Sequence, residues 1–198
     1  MTGPLSDGAR PGEHAGVPRP AARPHRHGPE GDVVVFGADE QAAGTVDVER
    51  WVELARQVLV AEGVRGEAEL SLLFVDEEAI ADLNTRFMDA EGPTDVLAFP
   101  IDDPVTGGRW PDAGTTGPDR EEAEDGDMPL LLGDVVVCPA VADRQAPDHA
   151  GTYDDEMALL VVHGVLHVLG HDHAEPDETA VMQARERALL DRFHRSRP

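Results

Sequence analysis

The chain has 198 residues, enough for one domain with tails but not for two full domains. Hydrophobic residues make up 40% and aromatics only 4%, so Val, Leu and Ala must do most of the core packing. Forty acidic residues against 16 basic ones, all of them arginine, leave a formal charge of -24, which excludes a general basic coat for nucleic acid, leaves room only for a local arginine patch, and gives no reason to expect DNA as a partner.

Residues 1–30 mix Pro, Gly, Ala, His and Arg without apolar periodicity and read as a disordered extension ahead of a domain spanning 31–195. This stretch carries no apolar signal segment, and the single cysteine, Cys138, cannot form an internal disulfide, so a cytoplasmic location is expected. Val33 to Phe36 is a short apolar strand, and Val48, Trp51, Val52, Leu54, Ala55, Val58 and Leu59 fit one helical face that Gly63 ends. Glu69 to Val75 reads as a strand, Asp76 as the N-cap of a helix turning Ile80 and Leu83 inward, and Asp95 to Pro100 as a third strand. Residues 102–127 hold nine acids against Arg109 and Arg120, with Gly and Pro throughout, and read as a long exposed acidic insertion. Leu131 to Cys138 is the fourth strand, and Pro139 suits the first turn of a helix running to about Ala146. Asp154, Asp155 and Glu156 place negative charge at the positive end of a further helix that ends at Gly170. A last helix, from about Asp177 to Phe193, offers Val181, Ala184, Ala188 and Leu189 to the core. Strands and helices intermix without strict alternation, which predicts an α+β class: one compact domain with about four strands in a mixed sheet and helices packed on it.

The informative segment is VHGVLHVLGHDH, Val162 to His173. His163 and His167 stand four apart on an apolar helix and so share a face. Gly170 can adopt the left-handed conformation that ends a helix and turns the chain back, bringing His173 toward the pair. Three imidazoles with a fourth position left to water describe a catalytic zinc site rather than a closed structural one, although nickel, cobalt and copper also accept such ligands. A lone histidine on a buried helix is usually a hydrogen-bonded core residue. Two on one Val/Leu surface would each need polar partners, and burial without them costs roughly 1–3 kcal/mol per group. A shared metal removes that cost. His171 should point away across the turn, and His14, His25 and His27 read as solvated.

The H-x3-H-x5-H spacing in HGVLHVLGHDH resembles the signature of the YbeY family, the bacterial rRNA-maturation endoribonucleases, usually HGxLHLxGYDH. Leu83 to Pro100, LNTRFMDAEGPTDVLAFP, resembles that family's LNxxYRxxDKPTDVLSFP, and Leu132 to Cys138, LGDVVVC, its LGDIVIC. The three segments occur in the family's order. The resemblance implies one zinc ion per chain held by His163, His167 and His173 on a zinc-peptidase-like metal helix. It implies single-strand-specific cleavage of RNA in 16S rRNA 3′-end maturation and ribosome quality control, with rRNA and the small ribosomal subunit as partners, joined by a ribosomal protein or a ribosome-associated GTPase. Three departures stand out: Met88 occupies the family's usual arginine position while an arginine sits two places earlier as Arg86, His171 replaces a usual tyrosine, and the acidic insertion is long.

Arg86 is the candidate for pairing with phosphate oxygens. Asp134 could face the site or a protein partner, Asp172 could orient an imidazole, and either could be a turn residue. The catalytic base is unassigned. Two other readings compete. A zinc peptidase shares the two-histidine helix, but Gly164 stands where H-E-x-x-H enzymes carry the glutamate base. A non-catalytic, metal-containing ribosome-assembly factor would suit the net charge, since RNA affinity rests on phosphate neutralisation. The longest apolar stretch, Ala158 to Gly170, is shorter than the ~18–20 residues a membrane span needs, so no membrane partner is expected. Replacing 102–127 by a short Gly/Ser linker should leave the melting temperature nearly unchanged, because the segment has few apolar side chains to bury and its like charges repel. A cooperative loss of folding in thermal denaturation would show that it packs.

Overall fold

The computed structural model describes residues 33–101, 129–171 and 176–195. The extension at 1–30, the insertion at 102–127, Asp172 and His173 lie outside them. In chain order the elements are β1 (Val33–Asp39), α1 (Val48–Ala61), β2 (Ala68–Phe74), α2 (Glu77–Met88), β3 (Val96–Pro100), β4 (Leu130–Val137) and α3 (Pro139–Gln145). A single 3₁₀ turn, Ala146–Asp148, then leads to α4 (Tyr153–Val168) and α5 (Pro176–Phe193). The strands form one sheet in the order β1-β2-β4-β3, with β1/β2 and β2/β4 parallel and β3/β4 antiparallel. This is the α+β domain with a four-stranded mixed sheet that the sequence predicts.

Local chemistry accounts for the helix starts. Asp47 accepts from the Arg50 amide, Asp76 from Ala79 and Thr152 from Asp155, each satisfying an amide of the first turn. β1 runs three residues beyond the predicted Phe36, because Gly37, Ala38 and Asp39 pair with Leu72, Leu73 and Phe74. That extension comes from a partner strand, not from local hydrophobicity.

Alternating side chains send the sheet's two faces into separate cores. On one face Leu70, Leu72 and Phe74 of β2 and Val135 and Val137 of β4 join the buried residues of α1, α4 and α5. On the other, Val75, Leu97, Val136 and Cys138 pack with Ile80 of α2, and Leu73, Leu83 and Phe99 border them. A register irregularity in the β2/β4 pair falls at Gly133, whose φ is +142° and where a Cβ would lie 2.3 Å from the Phe99 carbonyl oxygen. Only glycine fits that backbone.

The α5 core face differs from the expected one. Met182, Glu186, Leu189 and Leu190 are buried, whereas Val181 is 65% exposed and Ala184 and Ala188 face solvent. The buried set follows the i, i+4, i+7, i+8 stripe of a helix. A glutamate in the middle of that stripe conceals it from an apolarity count.

α4 is the central helix, touching β3, β4, α1, α3 and α5. It can do so because one of its positions has no side chain. At Gly164 a Cβ would sit 2.5 Å from Val135 Cγ1 and 3.3 Å from Val96 Cγ2, so the helix lies directly on the sheet there. Gly164→Ala gains about 1 kcal/mol of helix propensity but overpacks this contact at a cost of ~1–3 kcal/mol. A lower denaturant midpoint is expected, and an unchanged or higher one would show that α4 can lift from the sheet freely.

Candidate metal centre

From Val161 to Leu169 every residue of α4 is buried except His163 and His167, which are partly exposed on one face. Their rings meet edge to face, with centroids 4.5 Å apart and an interplanar angle of 81°, and the two Nε2 atoms are 3.1 Å apart. Two zinc–nitrogen bonds of ~2.0–2.1 Å at a tetrahedral angle would separate the nitrogens by about 3.3 Å. The observed spacing therefore suits two ligands of one ion. The pair also occupies the last turns of α4, where the negative end of the helix dipole favours a cation.

Gly170 has a φ of +83° and ends the helix as expected. The Gly170 amide donates to the His167 carbonyl and the His171 amide to the Leu166 carbonyl, which closes the two-bond helix stop associated with a left-handed glycine. The His171 imidazole lies 3.6 Å from the Glu62 carboxylate at the end of α1. Arg185 of α5 bonds the same carboxylate. Burial alone would raise the Glu62 pKa, but His171 and Arg185 outweigh it and hold the group below its ordinary 4.5. The stabilisation from this contact is thus present above that value and is lost as the pH falls. Among the described residues no three His, Cys, Asp or Glu side chains gather as a metal site. A three-ligand centre needs a donor from outside them, and His173, the remaining predicted ligand, is three residues after Gly170 in the sequence and is not among the described residues.

Two glutamates that sequence reasoning missed organise the surroundings. Glu186 of α5, 8% exposed, places Oε1 2.6 Å from His163 Nδ1. Its sequence signal is a charge at a core position of the α5 stripe. Glu156, read in the sequence only as a charge for the helix dipole, is fully buried. It accepts from the Gln145 amide at 2.7 Å and the Ala150 backbone amide at 3.1 Å, and it contacts His149 Nδ1 at 2.9 and 3.0 Å. The same Gln145 nitrogen donates to Asp95 at 2.7 Å, and Asp95 also accepts from Val96 N and the Thr94 hydroxyl. The Pro-Thr-Asp-Val segment is thereby tied through Gln145 to the start of α4.

The remaining candidates sit elsewhere. Arg86 pairs with Asp82 one turn back on the solvent face of α2 and lies over the Phe87 ring, and Met88 is 47% exposed. Asp134 follows the Gly133 irregularity, and its neighbour Val135 faces α4, so strand alternation sends Asp134 to the opposite face of the sheet from the histidines. The sequence left that orientation open, and a role lining the histidine site is corrected here.

Comparison with known proteins agrees with the three sequence segments. The profile of the family described as Endoribonuclease YbeY matches residues 37–194. Among curated proteins, an Endoribonuclease YbeY of Mycolicibacterium vanbaalenii is 47% identical over 148 residues, covering 75% of this chain and 74% of the relative. One from Frankia casuarinae is 46% identical over 158 residues, covering 80% and 73%, and one from Mycolicibacterium smegmatis is 46% identical over 142 residues, covering 72% and 73%.

Glu156→Ala should destabilise the fold by about 2–4 kcal/mol, since it removes the acceptor shared by Gln145 and the Ala150 amide at a fully buried position. Chemical denaturation measures this. A loss under about 0.5 kcal/mol, the level of an ordinary surface substitution, would show that the network does not hold α4 in place.

Proposed function

The chain belongs to the Endoribonuclease YbeY family, and on that footing we propose that it is a metal-dependent, single-strand-specific endoribonuclease acting in 16S rRNA 3′-end maturation and ribosome quality control. The observation that carries the chemistry is the His163/His167 pair, with Nε2 atoms 3.1 Å apart on the partly exposed face of an otherwise buried helix. In this reading His173 completes the set and one zinc ion is held per chain. When bound, such an ion acts as a Lewis acid toward a phosphoryl oxygen and lowers the pKa of water. The chain's own part is to hold the imidazoles on a rigid, packed helix, so that the nitrogens are in place before substrate arrives.

Gly164 speaks against the peptidase alternative for a reason beyond its identity. Its Cα faces Val135 and Val96, so the position that would carry the glutamate base is turned into the sheet. The substrate side of the proposal follows from charge. At -24 the protein can neutralise few phosphates, so naked RNA should bind weakly and in a salt-sensitive manner. Cleavage should be efficient when the small ribosomal subunit, with a ribosomal protein or ribosome-associated GTPase, presents the strand in the cytoplasm. Among the described residues no helix is long and apolar enough to cross a membrane.

His163→Ala and His167→Ala should each abolish stoichiometric metal and lower cleavage of single-stranded RNA by roughly 10²-fold or more, while His171→Ala keeps both. Elemental analysis and a cleavage assay on the same preparations check this. Retention of metal in His173→Ala with its loss in His171→Ala would reassign the third ligand. Hydrolysis of an unstructured polypeptide at a His167-dependent rate, with RNA and immature subunits left intact, would favour the peptidase.

A further inference from the structure

We propose that Glu186 is a positioning residue for the metal centre, fixing the His163 ring in the tautomer that presents Nε2 to the ion. The inference rests on the metal reading above, but its geometry is independent of it. Glu186 Oε1 lies 2.6 Å from His163 Nδ1, at the short end of hydrogen bonds to a carboxylate. An ionised carboxylate only accepts, so Nδ1 carries the proton and donates, and the lone pair of the neutral ring is left on Nε2. Nε2 is the atom that faces His167.

The position is an unusual one for a charge. Met182, Leu189 and Leu190 share the buried face of α5, and Glu186 is 8% exposed among them. A carboxylate is costly in such a place unless it is hydrogen-bonded. The contact also spans two helices 23 residues apart in sequence, so α5 docks on α4 through the imidazole as well as through apolar packing. Glu186 is too far round the ring to share the ion with Nε2, because the two ring nitrogens point in divergent directions. Its effect on the ion therefore passes through His163, whose ring rotation and tautomer it sets.

The experiment uses the full chain with Glu186→Ala and Glu186→Gln, comparing thermal melts first to verify folding. Long-range ¹H–¹⁵N correlation of histidine-labelled, metal-free protein reads the His163 tautomer, and competition with a chromophoric chelator reads the zinc Kd. We expect the wild-type ring to be protonated at Nδ1. Glu186→Ala should mix the tautomers and raise the zinc Kd about 10–100-fold, and Glu186→Gln, whose amide oxygen still accepts from Nδ1, should keep the tautomer and recover most of the affinity. Wild-type tautomer and affinity in Glu186→Ala would overturn the proposal. So would an equal loss of affinity in both variants, which would assign the effect to charge and not to ring orientation. Wild-type protein that takes up no zinc would refute the metal reading, while the tautomer measurement on metal-free protein would still decide the role of Glu186.

Discussion

α4 has to be buried on almost every side, and between Val161 and Leu169 the only side chains it takes into that setting with polar atoms are two imidazoles. The rest of the structure answers to this constraint. A helix apolar all round needs neighbours all round, and β3, β4, α1, α3 and α5 supply them. Gly164 lets the helix sink onto Val135 and Val96, which fixes its height above the sheet and leaves the His163/His167 face open on the other side. Between Val161 and Leu169 the two histidines are thus the residues that the packing leaves partly uncovered.

Holding such a helix in register takes polar contacts at its ends, where apolar packing alone is non-directional. At the start, Thr152 caps the first turn and the buried Glu156 gathers Gln145, His149 and the Ala150 amide. Asp155 bonds the Thr152 hydroxyl and His194 at the end of α5, contacts that together with Arg195 hold its carboxyl below the ordinary range against the opposing effect of burial. At the other end the left-handed Gly170 closes the helix, and His171 and Arg185 both meet the Glu62 carboxylate. Acidic side chains dominate this scaffold. In a chain of -24 much of the acidity is solvated surface, but Glu62, Glu156 and Glu186 are enclosed, and each of them meets a histidine.

The Pro-Thr-Asp-Val segment shows how a family-like motif can be tied into the scaffold through the entry to α4. Asp95 reaches Gln145, and the same nitrogen reaches Glu156, so β3 and the entry to α4 share a donor. The Leu-Gly-Asp segment behaves similarly. Gly133 is required by a positive φ and a 2.3 Å approach to the Phe99 carbonyl, and Asp134 then falls on the face of the sheet opposite the histidines.

The α+β class, the four strands, the capped start of α2, the acidic first turn of α4, the Gly170 stop and the shared face of His163 and His167 were legible in the sequence, because each depends on residues within a turn or two. Local sterics, hydrogen bonding to the nearest amides and hydrophobic period act over that range. What only the tertiary structure decided depends on which surfaces meet. The length of β1 was set by its partner strand, and the inward face of α5 by Met182 and Glu186 against α4 rather than by Val181 and Ala184. The same holds for the side of the sheet taken by Asp134 and for the Glu186 carboxylate on His163 Nδ1. A buried glutamate looks the same in sequence as a solvated one, since its meaning lies in the donor that the fold brings to it from a distant part of the chain.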